Sequence, residues 1–137
     1  MKTRAQNDLI LAERLVAGVA EKYPDKGHQV RKIYGGLCHS FPVMVRTCGL
    51  CQALAFSEAK AKGGEGSRAE AHALLLQHVA ELIGANQSSP LGHVRKAKAI
   101  QYMLYTRRVL DAWIYFKRFA ESILEVKSAK EAEDVEQ

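Results

Sequence analysis

The sequence carries little that covalent or metal chemistry could use. Its three cysteines, Cys38, Cys48 and Cys51, are an odd number. With no secretory segment read at the N-terminus, they exclude a disulfide-stapled scaffold and suit a reducing cytoplasm. Cys48 and Cys51 form one CxxC, but structural zinc needs further ligands at suitable spacing. No second CxxC or paired-histidine motif follows, and only Cys38-His39 could complete a set. The pair lies in an apolar stretch, where cysteine is normally a small core hydrophobe, and it lacks the βαβ setting of a redox motif. His28, His39, His72, His78 and His93 form no recognisable catalytic pairing with a carboxylate. Arg31 and His39 are too far apart, and Arg68 and His72 too close, for the arginine–histidine motif of helical ribonucleases. Gly35-Gly36 and Gly63-Gly64 have neither the lysine nor the strand context of a phosphate loop, and no serine sits in a nucleophile motif. No apolar run reaches the roughly 18 residues of a membrane span. No enzyme activity, catalytic residue, metal ligand or cofactor is therefore expected.

What is present is helix-forming. The chain has 137 residues, 47% hydrophobic and 26% charged, with only three prolines. It has the size of one domain able to bury a core. Apolar positions recur at three and four residues. The spacing predicts a helix over residues 3–22, capped by Thr3 and stopped before Tyr23-Pro24, and a second over 27–39. A break is expected at Ser40-Phe41-Pro42, then a third helix over 42–62, apolar nearly all round and so surrounded by others. Beyond Gly63-Gly64-Glu65-Gly66, the capping-box pattern Ser67-Arg68-Ala69-Glu70 opens a fourth helix that Gly84 ends. The last helical region, 91–126, is expected to divide near 96–98. The fold class is all-α: a compact bundle of five to six helices in a single domain, residues 1–126, followed by a charged tail, 127–137, expected to be disordered.

The net charge is +5, and the body is more basic than that, because Glu131, Glu133, Asp134 and Glu136 crowd the end of the chain. On the third helix, Arg46, Gly49, Ala53, Ser57 and Lys60 fall in one narrow arc. Either the small side chains form a lane for a nucleic-acid backbone between two cations, or they admit a neighbouring helix. On the last helix, Arg107, Arg108, Tyr115 and Arg118 lie opposite an apolar arc of Tyr102, Met103, Leu110, Trp113 and Leu124. Asp111 is within i,i+4 reach of Arg107. Lys2, Arg4, Arg95, Lys96 and Lys98 add charge at helix starts. Such cations suit sequence-independent phosphate contacts, or else a solvated face.

Three stretches resemble a known family. They are Lys2-Thr3-Arg4-Ala5-Gln6-Asn7-Asp8-Leu9; Phe41-Pro42-Val43-Met44-Val45-Arg46 continuing through Gly49-Leu50-Cys51-Gln52-Ala53-Leu54-Ala55-Phe56 to Lys60; and Tyr102 with Leu110-Asp111-Ala112-Trp113-Ile114-Tyr115-Phe116-Lys117-Arg118-Phe119-Ala120. In this order and spacing they resemble the small helical subunit of the type III-B CRISPR (Cmr) RNA-targeting effector. The resemblance implies a non-catalytic ribonucleoprotein subunit in cytoplasmic antiviral defence. Its expected partners are other Cmr complex subunits (the repeated backbone subunit and the large subunit), copies of itself, and the guide RNA/target RNA duplex, with no membrane. It places RNA contacts at Arg4, Arg46, Lys60, Lys117 and Arg118, to which the basic face adds Arg107 and Arg108. Cys48 stands where the family pattern leads one to expect a polar residue. The alternative is a helical adaptor that meets only protein.

Overall fold

The structure, a computed structural model, describes residues 1–85 and 89–130. Six helices follow one another: α1 (Arg4–Lys22), α2 (Gln29–Cys48), α3 (Leu50–Lys62), α4 (Ser67–Ile83), α5 (Pro90–Arg95) and α6 (Ala99–Ser122). The described residues contain no strand. Residues 131–137, most of the tail expected to be disordered, lie outside the described residues.

Local chemistry explains most helix ends. Thr3 and Gln6 form a reciprocal capping box at the start of α1, satisfying two amides that would otherwise lack partners. Gly84 ends α4 in the left-handed region at φ 76°, which glycine adopts without a Cβ penalty. Ser89 Oγ accepts from the Gly92 amide at 2.9 Å to open α5, and the chain divides at 96–98 before α6 as the spacing implies.

Two expected boundaries are corrected. The predicted break at Ser40-Phe41-Pro42 does not occur, and α2 runs straight through Pro42. A proline inside a helix removes one backbone bond, at a cost of about 3 kcal/mol. Here Phe41, Pro42 and Val45 are all buried, and Phe41 packs edge-on against Trp113 at 4.9 Å, so tertiary burial offsets that cost. The break falls instead at Gly49, whose φ of 89° few side chains tolerate. The Tyr102 hydroxyl, from α6, accepts from the Cys51 amide at 3.1 Å and so caps the start of α3. At α4, the expected Ser67 cap is absent and Gly66 precedes the helix without a side-chain bond. Glu70 turns instead to Tyr23 and Lys22.

The core centres on α2, which packs on α3, α4 and α6, while α1 lies along α6. Trp113 and Phe116 stack at 4.1 Å and are fully buried, as is Tyr34. His78 shares a 2.6 Å hydrogen bond with the Tyr34 hydroxyl, and His72 one of 3.2 Å with Ser57 Oγ. Burial pushes both imidazoles down to about 4, so they sit neutral between helices.

A buried arginine closes the far end. Arg31 is 4% exposed. Its guanidinium donates to the carbonyls of Tyr23, Pro24, Ile123 and Leu124. These lie just past the ends of α1 and α6, where helix dipoles concentrate negative charge. One side chain thus ties two helix ends to α2. Next to it, Val126 is buried and shares a 2.8 Å hydrogen bond between its carbonyl and His39 Nε2.

Candidate nucleic-acid interface

The predicted cations separate into three settings. Arg4 and Arg108 belong to the α1–α6 seam. Arg108 pairs with Asp8, a carboxylate 2% exposed. Arg4 pairs with Asp111 at 3.3 Å, so the expected Arg107–Asp111 pair gives way to one reaching across the bundle. Asp8 therefore holds Arg108 as part of the packing.

Lys60 sits at the end of α3 with its Nζ 5.3 Å from the centre of the Phe56 ring. It borders a groove of about 460 Å³ shared with Gly63, Gly64, Glu65 and Arg68. The lane proposed between Arg46 and Lys60 is corrected. The two residues stand on different helices, α2 and α3, on either side of the Gly49 break. Ala53 and Ser57 are buried where α4 packs on α3. The small side chains admit a helix, the other outcome that their size allowed.

The third setting gathers Arg46, Lys117 and Arg118. α2 and α6 bring them around one open groove of about 410 Å³, which also takes in His39, Val43, Ile114 and Glu121. Among the described residues none of the three cations forms an ion pair, so their charge faces solvent against the single carboxylate of Glu121. Val43 and Ile114 are 57% and 59% exposed, giving the groove apolar flanks. Trp113 lies beneath, its indole N–H without an acceptor among the described residues. Arg107, also exposed and without an ion pair among the described residues, stands on α6 outside this lining.

Sequence reasoning missed Val43, Ile114, His39 and Glu121. At 100° per residue, Ile100, Met103, Arg107, Ile114 and Arg118 share one arc of α6, a mixture of cations and large apolar residues that a solvated face would not need. Met103, expected in the core arc, is 68% exposed, and Ile100 and Leu104 beside it are also exposed.

Cys48 is exposed, Cys51 half-buried and Cys38 buried, where desolvation pushes its thiol up to about 12. Among the described residues no group of three or more histidine, cysteine or acidic side chains could hold a metal ion, and no helix is long and apolar enough to cross a membrane.

Fold and groove together define a class: a small helical bundle that presents unpaired cations and apolar side chains on one outer face. Residues 5–123 match the family of CRISPR-associated proteins described as Cas_Cmr5. A relative from Thermus thermophilus, named CRISPR system Cmr subunit Cmr5, is 35% identical over 126 residues, covering 91% of this chain and 99% of the relative. The crystal structure of a CRISPR-associated Cmr5 family protein from the same organism superposes with a TM-score of 0.71 at 32% identity, covering 90% of this chain and 98% of the other. The chain belongs to the Cmr5 family.

Proposed function

We propose that this chain is a non-catalytic small subunit of the cytoplasmic type III-B Cmr effector. In that role it stacks along the assembly beside the backbone and large subunits and copies of itself, and contacts the backbone of the guide–target RNA duplex. The observation that carries the RNA contact is the convergence of Arg46, Lys117 and Arg118, without ion-pair partners among the described residues, on the α2–α6 groove. The guide supplies sequence readout in such an effector, so each subunit needs only backbone contacts. Lys60, beside Phe56, and Arg107 extend the same role on neighbouring surfaces. Arg4 and Arg108 contribute less to it, because Asp111 and Asp8 engage them. The exposed apolar group Ile100, Met103 and Leu104 at the start of α6 suits contacts within the assembly.

The test is target-RNA binding by the complex assembled with Arg46→Glu, Lys117→Glu and Arg118→Glu together. Each lost phosphate contact removes about 0.7–0.9 from the slope of log affinity against log salt, so the triple variant lowers that slope by about 2–3. An unchanged affinity and slope overturns the RNA reading.

A second reading has its own support, since Val43 and Ile114 give the groove the apolar flanks of a protein interface. In that reading the chain is an adaptor whose basic groove meets an acidic protein surface. RNA crosslinking in the assembled complex separates the two, because the adaptor gives no crosslinks from α2 or α6.

A further inference from the structure

We propose that the acidic C-terminal segment, residues 131–137, docks in the α2–α6 groove of its own chain and competes there with polyanions. Three observations point to this occupant. The groove offers Arg46, Lys117 and Arg118 against the single acid Glu121. The segment carries Glu131, Glu133, Asp134 and Glu136 with no cation, and its one large apolar residue, Val135, matches the exposed flanks Val43 and Ile114. The chain also arrives at the groove's edge: the Val126 carbonyl is hydrogen-bonded to His39 Nε2 at 2.8 Å, and His39 lines the groove.

Distance permits the contact. His39 and Arg46 are separated by about 10 Å along α2 at 1.5 Å per residue. The seven residues 131–137 can extend to about 23 Å beyond Lys130. The register of charge also fits. Lys127 and Lys130 come first, on the Val126 side, and the four acids follow in sequence. The anchor is rigid, because Leu124 and Val126 are buried and Arg31 holds the carbonyls of Ile123 and Leu124. Tethering at short range gives the segment an effective concentration in the millimolar range, enough for a weak ionic contact to hold the groove until a longer polyanion displaces it. The contact stands on this geometry alone; its consequence for RNA rests on the function proposed above.

The experiment compares amide NMR spectra of the full chain with those of the chain ending at Lys130 and of the variant Glu131→Gln, Glu133→Gln, Asp134→Asn, Glu136→Gln. Both changes shift the amides of Val43, Arg46, Ile114 and Lys117, and the difference from the full chain fades as salt is raised. Perturbations confined to the residues next to Lys130 overturn the proposal. So do shifts that depend on protein concentration, which place the segment in a second copy's groove. Binding of polyuridylate to the same proteins then reads the consequence. The neutralised variant binds about tenfold tighter at low salt, by relief of competition. Groove shifts without that gain keep the docked segment and overturn its competition with polyanions.

Discussion

Replacing Gly35 with alanine probes the seat from which the C-terminal segment leaves the bundle. A Cβ built at Gly35 meets Val126 Cβ and Cγ2 at 2.5 Å and Cγ1 at 3.0 Å, closer than real side-chain carbons approach. Val126 has nowhere easy to go. Its amide donates to the Ala120 carbonyl at 3.0 Å, its carbonyl is bonded to His39, and Arg31 grips the carbonyls of Ile123 and Leu124. Helix propensity favours alanine over glycine by about 1 kcal/mol. Overpacking costs about 1–3 kcal/mol, and each bond lost if the turn lifts costs about 1 kcal/mol more. The net expectation is a loss of about 1–3 kcal/mol. Gly18 is the internal control. It lies within α1 with nothing within 4 Å of a built Cβ, so Gly18→Ala gains up to about 1 kcal/mol. Urea unfolding followed by circular dichroism measures both, and their difference isolates the steric cost. A Gly35→Ala protein as stable as Gly18→Ala would falsify the reasoning, since Val126 could not then be seated on α2. Pairing Gly35→Ala with Val126→Gly should show a coupling of about 1 kcal/mol or more.

Arg31→Met leaves four carbonyls without their donor and should cost about 3 kcal/mol, with faster hydrogen exchange at 123–126 as the local readout. Arg108→Ala strands the buried Asp8 carboxylate and should cost about 3 kcal/mol in urea unfolding. Arg118→Ala should leave stability within about 0.5 kcal/mol, and equal effects would contradict the division between packing and groove cations. His72 and His78 have folded pKa values lowered to about 4, from an ordinary 6.5. The unfolded chain therefore takes up protons first as pH falls: their contribution is full above 6.5 and is lost progressively between 6.5 and about 4. Melting temperatures measured from pH 7.5 to 4.5 should follow that course, and His78→Gln should flatten it.

Local signals in the sequence were enough for the helices. Apolar recurrence, the Thr3 cap, Gly84 and the divided stretch before α6 each act within a few residues, so spacing reveals them. Pro42 and Gly49 were misjudged because both answers are set from afar. Phe41 and Pro42 stay helical since Trp113 lies against that side of α2, and the chain turns at Gly49 where Tyr102 reaches across to cap α3. Charge was legible as composition and helical arc but not as availability. Asp8 and Arg108 are a hundred residues apart, and no local rule pairs them. Nor could spacing say that α4 would cover Ala53 and Ser57 while α2 and α6 left Arg46, Lys117 and Arg118 together in the open. The sequence by itself determined an all-helical basic bundle, because helix formation is read from neighbours along the chain. Only the tertiary structure decided which cations are engaged in packing and which face outward, because that depends on which faces the helices bury against one another.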